Sequence, residues 1–186
     1  MSAGLESGLW PTPHTLAPFS LMDQHDRSFD LKRIKGQWTF LFFGYTHCPD
    51  ICPLTMTVLK QVAQRLPQAV NLEQNAQFAF VTVDPERDDS RRLGAYVEHF
   101  NKHFLGVTGA IDEIENLERQ LNAVAIREEI AGQSGYFFSH TSSIMVIDPQ
   151  GRIFAFFSPP HDATTIIEKF SAVRKYYQQS TGVQAS

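Results

Sequence analysis

Residues 38–53 read WTFLFFGYTHCPDICP and hold both cysteines of the chain, Cys48 and Cys52. The apolar, aromatic-rich run from Trp38 to Phe43 leads through Gly44 into a polar turn. Pro53 then opens a segment in which Leu54, Val58, Val62 and Leu66 recur at helical spacing. The order is strand, loop, helix. Both thiols therefore fall in the loop and first turn at a helix N-terminus, where unsatisfied backbone N–H groups and the dipole favour the thiolate. Redox exchange and metal binding both use that form.

Two less reactive readings compete with this one. Buried, inert cysteines would behave as small hydrophobes, but Thr46, His47, Pro49 and Asp50 crowd this pair with polar and turn-forming residues. A purely structural disulfide would close so short a loop that it would constrain the unfolded chain little. A reactive pair accounts for more of the sequence.

Outside this stretch, 186 residues with 42% hydrophobic and 19% charged composition fit one globular domain with at most a tail. A net charge of −4 without a basic run argues against a nucleic-acid surface. The opening residues lack the basic-then-apolar pattern of a signal peptide and no segment reaches bilayer-spanning length, so the chain as given reads as soluble. Two cysteines are too few to diagnose an oxidising compartment.

Pro11, Pro13 and Pro18 among Gly and Ser predict an extended lead-in over residues 1–18 without regular structure. The folded domain is expected over 19–180 and a tail over 181–186. PFSLMDQHDRSFDLKRIKG predicts a hairpin around Asp23 to Ser28 and a helical turn from Leu31 to Lys35. Gln77 to Val83, QFAFVTV, has the near-continuous apolar content of a parallel strand covered on both faces. The PERDDS loop offers Asp88, Asp89 and Ser90 as caps for a helix reaching Asn101 with Leu93, Tyr96, Val97 and Phe100. FLGVTG predicts a short strand, and Ile111, Ile114, Leu117 and Leu121 predict a helix with Asp112 and Glu113 in its first turn.

Val124 to Ile130 reads as an extended piece and 132–135 as a loop. SSIMVID, the turn DPQG and RIFAFF form a second hairpin, and Asp162 caps a last helix presenting Ile166, Ile167, Phe170, Val173 and Tyr177. Strands separated by helices, closing on a hairpin and a terminal helix, predict an α/β sandwich of thioredoxin type. It has a central mixed sheet flanked by helices and an N-terminal hairpin.

GYTHCPDICP, VTVDPERD and SHTSSIMVIDPQGR, in that order and on those elements, resemble the Sco/SenC family of copper-binding assembly factors for cytochrome c oxidase. The resemblance runs from about Phe19 to the last helix. It implies a thioredoxin-like fold and a copper metallochaperone that serves the dinuclear CuA site of oxidase subunit II. It also implies copper ligation, as Cu(I) or Cu(II), by Cys48, Cys52 and His140, with Cys48 and Cys52 as a redox-active pair. The partners implied are the CuA domain of subunit II, a copper donor protein and a thiol reductase. The implied location is the periplasmic or extracytoplasmic side of a membrane, with membrane contact only through an N-terminal anchor that this chain lacks.

Ligand chemistry supports copper independently. Thiolates select Cu(I), zinc or iron–sulfur clusters and imidazole adds preference for copper and zinc, whereas two cysteines are too few for a closed tetrahedral zinc site. His140 is expected in the loop that leads into the SSIMVID strand, where thioredoxin-like folds normally present a cis proline to the cysteine loop; no proline stands there. His47 can tune the neighbouring thiolate, offer an alternative ligand, or simply be solvated. His99 and His103 have metal-binding i, i+4 spacing but no evident third ligand, so a solvated helix end is the better reading. His14, His25 and His161 read as loop histidines.

Asp84 and the PERD loop lie where α/β folds bind ligands, and serve either the site or helix capping, with capping the slightly better reading. The competing function is that of an enzyme, a thiol-disulfide oxidoreductase that reduces the CuA-site cysteines or another protein disulfide. Three residues between the cysteines, where thioredoxins have two, and the missing proline weigh against it. A thiol peroxidase is weaker still, because no threonine and arginine arrangement around Cys48 is apparent.

Overall fold

The run Trp38–Gly44 is buried along its whole length, so it must be covered on both faces, and its alternating side chains feed two separate cores. Trp38, Phe40 and Phe42 enter one core, and Leu41 and Phe43 the other. The computed structural model describes residues 8–70, 76–132 and 134–182. In chain order the elements are β1 (Leu9–Thr15), β2 (Ser20–Asp23), β3 (Ser28–Asp30), α1 (Leu31–Ile34), β4 (Trp38–Gly44), α2 (Ile51–Val70) and β5 (Ala76–Thr82). There follow α3 (Ser90–Phe100), β6 (Leu105–Thr108), α4 (Ile111–Gln120), β7 (Ala125–Glu129), β8 (Tyr136–His140), β9 (Ile144–Ile147), β10 (Arg152–Phe157) and α5 (Ala163–Thr181).

An eight-stranded mixed sheet has the order β1-β10-β9-β4-β5-β6-β2-β3. β4, β5 and β6 are parallel neighbours, with Phe40 opposite Phe78 and Phe42 opposite Phe80. β9 runs antiparallel on the other side of β4. Helices α2, α3 and α5 cover one face and α4 covers the other. This is the thioredoxin-like mixed sheet expected. The predicted N-terminal hairpin is β2–β3, and it extends the sheet by pairing with β6.

Most predicted elements stand where the pattern puts them. Asp89 and Asp162 accept hydrogen bonds from the backbone amides of Arg92 and Thr165 and so cap α3 and α5. The buried stripe of α2 is Cys52, Met56, Leu59, Val62 and Leu66; of the expected face, Val62 and Leu66 are buried and Val58 is partly buried against the core, whereas Leu54 is 59% exposed. Ile111 is likewise exposed in α4.

Three expectations are corrected. The lead-in is extended but regular from Leu9 to Thr15, where β1 pairs antiparallel with β10 through an irregular register; residues 1–7 lie outside the described residues. Prolines are tolerated there because β1 is an edge strand. His140 is the last residue of β8, which pairs with β7 in a separate two-stranded ribbon, and is not in a loop. Helix α5 extends through Thr181 with Gly182 as its left-handed cap, so the expected tail begins inside the helix. Residues 183–186 of that tail and Gln133 of the predicted 132–135 loop lie outside the described residues.

Candidate metal centre

β4 delivers the chain to Gly44 at the core, and the carbonyl of Gly44 accepts from the amide of Val83 at 2.8 Å. A Cβ at residue 44 would stand 2.8 Å from Cys52 Sγ and 2.6 Å from the Phe80 ring, so only glycine leaves the sulfur its space. The chain then turns, with the Cys48 amide donating to the Tyr45 carbonyl at 3.1 Å. Cys52 follows in the first turn of α2, fully buried, while Cys48 is half-buried and nearer the surface.

The two thiols divide their protons unequally. Cys48 is held down to about 4, from an ordinary 9.0, first by the hydrogen bond that the Cys52 thiol donates to it. Burial opposes this, and His140 and the backbone amides of Asp50 and Cys52 support it. The same hydrogen bond, then burial and the Cys48 charge, push the Cys52 thiol far upward. The reduced pair therefore carries one thiolate at the mouth and one proton held inside.

His140 reaches this pair from the ribbon. Its Nε2 lies 3.4 Å from Cys52 Sγ, and its Nδ1 lies 3.0 Å from the Thr141 carbonyl. A carbonyl only accepts, so Nδ1 donates to it, and Nε2 is the ring nitrogen turned toward the sulfurs. Phe42 and Tyr45 pack edge-on against the imidazole at 6.0 and 5.9 Å between ring centres. The ligand atoms of Cys48, Cys52 and His140 lie within 4.8 Å of one another, the only such group of three among the described residues. Two soft sulfurs, one imidazole nitrogen facing them and a fixed second hydrogen bond on that imidazole suit copper.

The other histidines take no part in this group. His47 Nε2 faces Arg92 at 3.3 Å and its Nδ1 lies 3.9 Å from Asp88, away from the sulfurs. His99 packs edge-on against Phe100 at an exposed helix end, and His103 lies beyond α3. His14 and His25 are exposed. His161 lies in a loop as expected, partly buried, and its Nε2 donates to the Ser142 carbonyl at 2.8 Å, tying down the segment that follows His140. Burial depresses its pKa. His14, read as a loop histidine, stands instead in β1.

Sequence reasoning missed the role of Asp88. It is fully buried and does not cap α3. Its carboxylate accepts from the amide and hydroxyl of Thr46 at 2.9 and 2.5 Å and from the Thr82 hydroxyl at 2.7 Å, pinning the cysteine turn. The signal was two consecutive acids ahead of one helix, of which only one can occupy the cap. The cis peptide bond lies at Pro159–Pro160, after β10.

A thioredoxin-like α/β domain that gathers two thiols and an imidazole around one point defines a class of thiol proteins equipped to hold a soft metal ion. The chain belongs to the SCO1/SenC family, whose model matches residues 10–175. It is similar to the mitochondrial SCO2 homolog of Mus musculus, 32% identical over 150 residues, 81% of this chain and 58% of that protein. It also resembles the crystal structure of Arabidopsis thaliana ScoI with copper bound, with a TM-score of 0.80 and 28% identity over 88% of this chain and 100% of that one. Yeast Sco1 with copper bound matches with a TM-score of 0.80 and 26% identity over 94% of this chain and 97% of that one. The chain spans only about half of the mitochondrial relatives, from 58% of the mouse protein to 44% of an Arabidopsis one. No helix among the described residues is long and apolar enough to cross a membrane.

Proposed function

We propose that this protein is a copper metallochaperone that holds copper through Cys48, Cys52 and His140 for assembly of the CuA site of cytochrome c oxidase. The observation that carries the reading is the convergence of two sulfurs and Nε2 within 4.8 Å, from elements far apart in the chain. Copper binding by the Arabidopsis and yeast relatives supports it. Copper is cargo here. Few protein ligands at an accessible loop let an acceptor's thiolates displace them one at a time. Oxidation of the pair to a disulfide removes two electrons and the one proton held on Cys52, and abolishes ligation, since binding needs free deprotonated thiols.

In this reading the acceptor is the CuA domain of oxidase subunit II, a donor protein supplies the copper, and a thiol reductase restores the pair. The domain works on the periplasmic or extracytoplasmic side of a membrane. Metal analysis and visible spectra of the reduced protein after copper addition test the assignment. Cys48→Ala, Cys52→Ala and His140→Ala are each expected to lose copper–thiolate absorption or stoichiometric binding. Undiminished binding in all three defeats the reading.

One observation favours a second reading, thiol-disulfide exchange: Cys48 is an accessible thiolate held down to about 4, and Cys52 retains a proton. In that chemistry Cys48 sulfur attacks a substrate disulfide, one substrate thiolate leaves, and Cys52 resolves the mixed disulfide. Turnover of a protein disulfide together with a measured reduction potential separates the two.

A further inference from the structure

The three ligands come from two bodies, the cysteine turn and the β7–β8 ribbon, and the same five-residue loop grips both. Asp88 at the loop's end takes three hydrogen bonds from Thr46 and Thr82 and so fixes the turn. Asp84 at its start accepts from the Tyr136 hydroxyl at 2.9 Å and pairs with the Arg87 Nε. Arg87 donates from Nη1 to the Tyr136 carbonyl at 3.2 Å, and its guanidinium lies 3.7 Å over the Tyr136 ring. Arg127 covers the same ring at 3.6 Å and also reaches Glu86 at 3.1 Å. Tyr136 is thus held by a charge-assisted hydrogen bond, a backbone contact and two cations on its ring.

Little else holds that end of the ribbon. None of the residues of β7 or β8 is buried, and the ribbon packs on itself far more than on any other element. A cleft of about 520 Å³, lined by Val83, Ile111 and Phe138 among others, separates it from the segment that follows β5 and from α4. Tyr136, Phe138 and His140 share one face by strand alternation. Ring contacts run along it: Tyr136 to Phe138 at 5.8 Å, Phe138 to Tyr45 at 5.6 Å and Tyr45 to His140 at 5.9 Å.

We infer that the Asp84–Asp88 loop is a two-armed bracket that sets the span between the sulfurs and the imidazole. Asp84, Arg87 and Tyr136 are positioning residues for His140, and the inference rests on the ligand reading above. With the Tyr136 arm released, the ribbon tilts into the cleft and His140 stands off the sulfurs, while Asp88 keeps the cysteine turn in place. The bracket therefore governs the third ligand without touching copper.

The test uses the whole chain with Tyr136→Phe, which keeps the ring and loses the hydroxyl, and Tyr136→Ala, which loses both. Both variants are expected to retain the copper–thiolate absorption. They are expected to weaken the nitrogen hyperfine signature of bound Cu(II) and to lower copper affinity about 10- to 100-fold, graded from Phe to Ala. Combining either with His140→Ala should add nothing to His140→Ala alone. Unchanged spectra and affinity in Tyr136→Ala, or full additivity with His140→Ala, overturn the bracket.

A metal-free measurement keeps the two readings apart. Backbone amides of residues 137–140 in the reduced protein should exchange about tenfold faster in Tyr136→Ala, with α2 unchanged. If His140→Ala binds copper like the parent, the ligand reading fails, and the exchange rates still decide the bracket: unchanged rates overturn it.

Discussion

The sulfur half and the nitrogen half of the site are built in opposite ways. β4 is buried at every residue and paired on both sides, and the cysteines ride on its end and on a helix packed against it. The ribbon that carries His140 has no buried residue, and it exposes Val124, Ile126, Ile130 and Phe137 to solvent on and beside its strands. Burial of large side chains fixes the first half, and a few directional polar contacts fix the second. The difference teaches that stability and ligand geometry are set by different residues, so each can be damaged without the other.

The largest contrast is in folding stability. Phe42→Ala removes a fully buried ring and is expected to cost about 3–5 kcal/mol, whereas Phe137→Ala on the ribbon should cost about 0.5 kcal/mol or less. Denaturant unfolding of the reduced protein measures both, and equal losses would erase the distinction between the two halves.

Next comes Gly44→Ala, which forces a methyl group against Cys52 Sγ and Phe80. A loss of about 1–3 kcal/mol is expected, together with a displaced sulfur and weaker copper–thiolate absorption. A variant with parental stability and spectrum would mean that the strand end has slack.

The smallest effect concerns the Cys48 proton. Iodoacetamide labelling of the reduced protein should show a Cys48 midpoint near pH 4. Removing Cys52, the largest cause of the depression, should raise that midpoint more than removing His140 does. The sign for stability follows: a depressed thiol contributes fully above the unfolded value of 9.0, and the contribution is lost as pH falls toward about 4. A larger rise in His140→Ala than in Cys52→Ala would put control of the thiolate on the ribbon.

The sulfur half was legible because its signals are local. Trp38 to Gly44 is an apolar run broken only by Thr39, a helical pattern follows from Pro53, and the two cysteines mark the junction, the helix itself starting at Ile51 with Cys52 in its first turn. On its helix face Val58, Val62 and Leu66 meet the core as expected, and Leu54 alone is misjudged, apolar yet exposed, with Cys52 facing the core at that end. The motif around His140 marks it as a candidate ligand, but nothing in the sequence marks its strand. YFFSH gains its structure only from pairing with AIREE across a loop, and a ribbon without a buried face leaves no clean alternation of apolar and polar residues. Tyr136 and Arg87 gave no signal of their pairing, since 49 positions separate them. β1 was hidden for a related reason: Pro11 and Pro13 speak for a loop unless the strand lies at an edge.

Those same two prolines have a consequence for the company this molecule keeps. A sheet margin invites another chain to zip onto it wherever free amide donors line up. At one margin the prolines delete donors and the register is broken; at the other, β3 is only three residues long. Neither border of the eight-stranded sheet offers a docking rail, so a second copy finds no long row of donors there on which to start.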